Sequence, residues 1–170
     1  MESTPPLWVI TLSYWLHMLA TVAWIGGLAA VALLILPAAQ RTLASELYTQ
    51  FLNRVQKRLE NIAWFSISLL VVTGLIQMTA NPHYQGFLVI TNRWAVAILL
   101  KHLVFLLMVA LSAYLTWVIG PQIGRATLLQ AHGLPAEGLL RLRNQQLWLL
   151  RADLGIGFVI LALTALARAS

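Results

Sequence analysis

The sequence contains no cysteine. Disulfide bonds, thiolate metal ligands and thiol redox chemistry are therefore excluded, and cysteine usage says nothing about the redox compartment. Charged side chains are also scarce, since they make up 9% of 170 residues and only five are acidic. The sequence lacks phosphate-binding glycine loops, the His-Glu-x-x-His metal motif and the Gly-x-Ser-x-Gly nucleophile motif. Catalysis of the soluble-enzyme type is not indicated.

Apolar residues are abundant instead, at 60% of the chain, with a mean hydropathy of +0.80. A transmembrane helix needs about 20 apolar residues to cross about 30 Å of hydrocarbon. Four stretches satisfy this requirement, and they lie at 8–36, 61–80, 94–119 and 147–167. The sequence therefore predicts an all-α integral membrane protein, a four-helix transmembrane bundle that forms a single domain over 1–170. Pro37 and Gly120-Pro121 are expected to end the first and third spans, because proline interrupts the helical hydrogen bonds.

The basic residues are concentrated in two of the three connections between these spans. They are Arg41, Arg54, Lys57 and Arg58 in the first connection, and Arg125, Arg141 and Arg143 in the last. The opposite side carries only Arg93 and Arg168. The positive-inside rule predicts that loops 37–60 and 120–146 are cytoplasmic and that both termini are periplasmic or extracellular, in a bacterial-type inner membrane. The net charge of +6 thus reflects topology, and the lipid bilayer rather than nucleic acid is the expected partner.

The segment before the second span has apolar residues at every fourth position, which is typical of an amphipathic helix. These residues are Leu47, Phe51, Val55 and Leu59. The pattern leaves two interpretations open, a helix on the membrane surface and a cytoplasmic continuation of the second span.

The two halves of the chain resemble each other. His17 is followed 20 residues later by Pro37, and His102 is followed 19 residues later by Pro121. The further matches are Arg58-Leu59-Glu60 with Arg151-Ala152-Asp153, and Thr73-Gly74-Leu75 with Thr164-Ala165-Leu166. These matches suggest a parallel two-helix repeat, in which His17 and His102 would be equivalent.

His17 and His102 lie within spans at nearly equal depth, nine residues after Trp8 and eight after Trp94. An ionisable group within a span costs a few kcal/mol and is usually functional. Two neutral imidazoles at one depth can bind one iron or copper ion from opposite sides. The spacing fits equally well with two histidines that only form hydrogen bonds between helices.

Lys101 and Asp153 are two further ionisable residues within the spans. Lys101 lies seven residues after Trp94, and Asp153 lies six residues into the fourth span from the opposite side. These depths leave a vertical gap under ~10 Å, which a lysine side chain can bridge. The sequence therefore predicts a buried charge pair, Lys101 with Asp153.

A copper site is the alternative to an iron site. The four methionines form no Met-x-x-Met run, but Met18 adjoins His17, and Met78 and His83 lie near the periplasmic surface. These three residues, with His17 and His102, are the candidate copper ligands.

The first span, WLHMLATVAWIGGLAAVALLILP, resembles the opening helix of the CopD-like (copper resistance D) membrane domain and of the related HemJ-type protoporphyrinogen oxidases. Thr73-Gly74, Lys101 and Asp153 resemble further landmarks of these proteins. The resemblance implies copper passage for the CopD type and haem b with porphyrinogen oxidation for the HemJ type, with site residues His17 and Lys101 in both. His102 departs from the pattern, in which an apolar residue follows the lysine, and this added imidazole favours haem. Asn144-Gln145-Gln146 replaces the Asn-Glu-x-Pro step of HemJ proteins, which argues against porphyrinogen oxidation.

The leading interpretation is a membrane haem b protein, either a small cytochrome or an electron-transfer subunit of a redox complex. His17 and His102 would be its axial ligands, and Arg93 and Lys101 would neutralise the haem propionates. Copper handling of the CopD type is the alternative, and a structural subunit without a cofactor is the third interpretation. Oxidoreductase activity, partner redox subunits and a homo-oligomer are left open.

Overall fold

The computed structural model describes residues 5–43, 45–82, 84, 86, 89, 93–134 and 138–169. Within these residues the chain forms six α-helices and two π-helical turns. They are α1 (Leu7–Ala29), the first π turn (Ala30–Ile35), α2 (Leu36–Thr42), α3 (Ser45–Thr79), α4 (Arg93–Tyr114), the second π turn (Leu115–Ile119), α5 (Gly120–Ala131) and α6 (Leu139–Ala169).

Four stretches of this structure are long and apolar enough to cross a membrane, which confirms the predicted four-helix transmembrane bundle. They are Leu7–Ala39, Gln50–Thr79, Arg93–Gln130 and Leu139–Arg168. Large apolar side chains cover their outer surface, where Val22, Leu34 and Phe65 are 69%, 69% and 70% exposed. Such a surface is suited to lipid and not to water.

The helices are longer than the apolar stretches predict, and they extend on the side of the basic loops. Helix α3 runs without a break from Ser45 to Thr79, so the amphipathic segment is a continuation of the second span. Pro37 and Pro121 do not end their helices as expected, because the chain passes through a π turn and continues as α2 and α5. The wider turn accommodates a proline that has no N–H and whose ring crowds the preceding turn.

The second half of the chain repeats the element order of the first, since each half has a long helix, a π turn, a short helix and a second long helix. Pro121 follows Pro37 by 84 residues. The same shift of 84 residues pairs buried residues of the first half with buried residues of the second half. The pairs are Ser13 with Ala97, Trp24 with Met108 and Val31 with Leu115. This register aligns His17 with Lys101 and not with His102.

Each long helix packs against its neighbour in the sequence, α1 on α3 and α4 on α6. Side chains of neighbouring helices pack directly against glycines, and such small residues are common at helix contacts in membrane bundles. A Cβ atom at Gly27 would lie 3.4 Å from Leu59, and one at Gly157 would lie 3.4 Å from both Ile25 and Met108. These contacts hold the four spans in one bundle and position two polar regions inside it.

Candidate functional site

The first polar region lies between α1 and α3, on the side of the chain termini. It consists of Ser13, His17, Thr73 and Gln77, and is called the His17 cluster below. The hydroxyl of Ser13 donates to the carbonyl of Thr73 at 3.1 Å, and the amide of Gln77 donates to the carbonyl of Ser13 at 3.2 Å. His17 Nδ1 lies 2.8 Å from Thr73 Oγ1. His17 is thus held by one hydrogen bond between helices, in agreement with one of the interpretations of its position.

The hydrogen bonds of Thr73 determine the tautomer of His17. A hydroxyl has one hydrogen, and Thr73 Oγ1 donates it to the carbonyl of Leu69 at 2.6 Å. Thr73 Oγ1 therefore accepts from His17, whose Nδ1 carries the proton. In a neutral imidazole the other nitrogen, Nε2, then holds a free lone pair. The ring is oriented by a neighbour in the way that metal-binding histidines usually are.

Two cationic side chains lie near the His17 ring. The charges of Lys101 on α4 and Arg168 on α6 both act on the imidazole. Arg168 is also placed over the ring of Tyr14, with its guanidinium carbon 5.4 Å from the ring centroid. His17 and Lys101, the two positions that the sequence resemblance singled out, are therefore close enough to interact electrostatically.

His102 does not share this environment. It is exposed, and its Nδ1 lies 2.7 Å from the carbonyl of Ile98 on its own helix. The inward face of α4 carries Trp94, Ala97 and Met108, and Lys101 falls on this face at helical spacing. One residue further along the helix turns His102 by about 100°. The structure therefore does not present His17 and His102 to one metal, and bis-histidine haem ligation receives no support.

The second polar region lies on the side of the basic loops and contains Asp153. This residue is fully buried, and its Oδ2 accepts a hydrogen bond of 2.7 Å from Ser112 on α4. Asp153 Oδ1 has no hydrogen-bond partner within the described residues. Ser112 is eleven residues beyond Lys101 on α4, which is about 16 Å along a helix. The expected ion pair with Lys101 is therefore not formed here, because Asp153 lies nearer the side of the basic loops than the span ends suggest.

The remaining candidate residues are dispersed. Met18 is 56% exposed on the outer surface of α1, Met78 is half-buried near the end of α3, and Arg93 is exposed at the start of α4. His83 lies outside the described residues. Among the described residues no group of three or more His, Cys, Asp or Glu side chains is arranged to hold a metal ion.

Sequence reasoning missed the hydrogen-bond partners of His17 and Asp153. The sequence patterns bring out Thr73 only as part of a repeat and as a landmark of the family resemblance, and they do not bring out Ser112. Both could have been found from helical spacing, since Ser112 continues the inward face of α4 at four residues after Met108. Their role as partners of His17 and Asp153 depends on contacts between helices, which spacing within one helix does not reveal.

A known protein family matches the chain. The family model CopD, copper resistance protein D, matches residues 53–167, which is more than half of the chain. No curated protein and no solved structure matches the chain. The matched region contains Thr73, Lys101 and Asp153, and it begins after the span that carries His17.

Proposed function

Since the chain belongs to the copper resistance protein D family, we propose that it handles copper in the membrane and that His17 is the residue that contacts the copper cargo. The proposal rests on family membership and on one structural observation, the hydrogen bond between His17 Nδ1 and Thr73 Oγ1, from which we infer that Nε2 has a lone pair available. Imidazole nitrogen is a good ligand for copper. Thr73 keeps the ring in the tautomer and orientation that a metal ligand requires.

The surroundings of His17 favour brief contact over storage. A single imidazole beside Lys101 and Arg168 holds a cation weakly, because like charges repel it. A protein that passes copper on must release it, so weak binding suits transport or delivery. Bis-histidine haem b would instead need His102 as the second axial ligand, and His102 faces away from the bundle.

The test compares the two histidines, which are the same residue type within the same membrane. Wild-type protein, His17→Ala and His102→Ala are reconstituted into vesicles, and Cu(I) entry is followed with a trapped chelating dye. We expect His17→Ala to reduce entry to the level of empty vesicles and His102→Ala to retain it. Equal loss in both variants, or no copper entry in folded wild-type protein, would contradict the proposal.

The same preparations test the haem interpretation. Protein produced with ample haem is purified and its absorption spectrum recorded. Copper handling predicts a colourless protein. A stoichiometric Soret band that disappears in His17→Ala would overturn the copper proposal and replace it with haem binding at His17.

We also propose that both termini are periplasmic in a bacterial-type inner membrane, because the basic residues collect in the two connections on the other side. Reporter fusions at 170 and within 120–146 measure this directly. A fluorescent reporter that folds only in the cytoplasm should be dark at 170 and bright in 120–146, and the reverse pattern would invert the topology.

A further inference from the structure

A cavity of about 90 Å³ lies between all four spans on the side of the basic loops. Most of its wall is aliphatic. Its polar lining consists of Gln56, Glu60, Ser112, Thr116, Gln146 and Asp153. A buried water needs about 10–15 Å³ of such volume and two to four polar partners, so the cavity has the size and lining to hold several water molecules.

Asp153 is the polar residue of this cavity that is least satisfied. It is 0% exposed, Ser112 donates to its Oδ2, and its Oδ1 has no partner in the described part of the chain. Among the described residues no Lys, Arg or His lines the cavity, and the other titratable group on its wall is Glu60 of α3. Of the described residues in α1, Leu28 alone contributes to the wall. A charged carboxylate in these surroundings would be very costly, and such groups normally become neutral.

Glu60 differs from Asp153 because it has a partner. The amide of Gln146 donates to Gln56 at 2.7 Å, and the amide of Gln56 donates to Glu60 at 3.3 Å. Gly120 leaves room for these hydrogen-bonded side chains, since a Cβ atom at Gly120 would lie 3.2 Å from Gln56 Nε2. Gln56 therefore donates to Glu60 and Gln146 donates to Gln56, so neither of these hydrogen bonds reaches Asp153 Oδ1. Water that enters the cavity would be its partner.

We propose that Asp153 is a proton-binding site that exchanges its proton with water in this cavity. The proton is carried on Oδ1, while Oδ2 acts as the carbonyl oxygen that accepts from Ser112. On release, the Oδ1–H bond breaks, its electron pair stays on the carboxylate, and the proton passes to a cavity water as hydronium. Uptake is the reverse step, and no oxidant or reductant takes part.

A proton fits the site better than a metal cation does. A hard cation such as Ca²⁺ takes six to eight oxygen ligands. Two oxygens of the cavity are already occupied, Gln56 Oε1 by Gln146 and Glu60 Oε1 by Gln56. Within the described residues no three acidic or histidine side chains are grouped. One free carboxylate oxygen is enough for a proton.

Infrared spectroscopy of the purified protein in lipid nanodiscs tests the proposal without reference to copper. A protonated carboxyl group gives a carbonyl band that is separate from the carboxylate bands. We expect this band near neutral pH, a shift of the band in D₂O, and its replacement by carboxylate bands at alkaline pH. Asp153→Asn should remove it, whereas Glu60→Gln, the control on the same cavity, should retain it.

Ser112→Ala provides a second variant that leaves the carboxyl group in place. Loss of the hydrogen bond to Oδ2 should shift the carbonyl band to higher frequency. The proposal is overturned if folded wild-type protein shows only carboxylate bands at neutral pH. It is also overturned if the band is unaffected by both D₂O and alkaline pH, because Asp153 would then be a sealed neutral acid.

Discussion

Thr73→Val tests the central structural claim about His17, that a threonine hydroxyl determines its tautomer. Valine has nearly the shape of threonine but cannot accept the proton of His17 Nδ1, which lies 2.8 Å from the hydroxyl oxygen. Thr73 is only 2% exposed, so water cannot easily take its place. An unsatisfied buried donor costs about 1–3 kcal/mol. Loss of an orienting partner typically reduces metal affinity 10–100-fold, which is about 1.4–2.8 kcal/mol.

Two measurements follow these effects separately. Nitrogen NMR of the imidazole reports which ring nitrogen carries the proton, and competition with a Cu(I) chelator reports the affinity. In wild-type protein the proton should be on Nδ1. Thr73→Val should lose this preference and bind Cu(I) about 10–100-fold more weakly, while Thr73→Ser, which keeps the hydroxyl, should remain close to wild type.

Two results would refute the reasoning. If the wild-type imidazole carries its proton on Nε2, the lone pair that we assign to copper does not exist. If Thr73→Ser weakens Cu(I) binding as much as Thr73→Val does, the effect comes from packing and not from the hydroxyl.

Three further predictions concern the bundle and its charges. Gly157→Val should destabilise the purified protein by about 1–3 kcal/mol in thermal unfolding, because the valine side chain overpacks the core. Gly155→Val is the control, since no atom lies within 4 Å of a Cβ there, and it should change the stability by less than about 0.5 kcal/mol. Lys101→Met and Asp153→Asn should have additive effects on unfolding, because the two residues do not pair here; a coupling above about 0.5 kcal/mol would restore the predicted ion pair. Lys101→Gln should strengthen Cu(I) binding at His17, because the charge of Lys101 acts on the imidazole and like charges repel. Unchanged or weaker binding in the chelator titration would show that the charge of Lys101 does not act on the copper.

The membrane fold could be read from the sequence because hydropathy is a local property. Each apolar stretch must be helical in lipid, where every backbone polar group needs a partner within its own segment. The helix ends were less well predicted, since α3 and α6 continue into polar sequence where packing against neighbours sustains them. Proline was expected to end two helices and instead coincides with π turns.

The sequence by itself determined which residues were worth attention. His17, Lys101 and Asp153 were identified because ionisable groups are costly in lipid wherever they face. The sequence also resembles the copper resistance protein D family, and the family match over residues 53–167 confirms this resemblance.

Only the tertiary structure decided which of these residues face each other. Depth along a helix follows from counting residues, but direction depends on which side of each helix is buried, and one residue changes it by about 100°. Lys101 therefore turns inward near His17, whereas His102 lies on the outer surface. Asp153 is placed beside Ser112 in the same way, because its depth is determined by how α6 packs on α4 and not by where an apolar stretch begins.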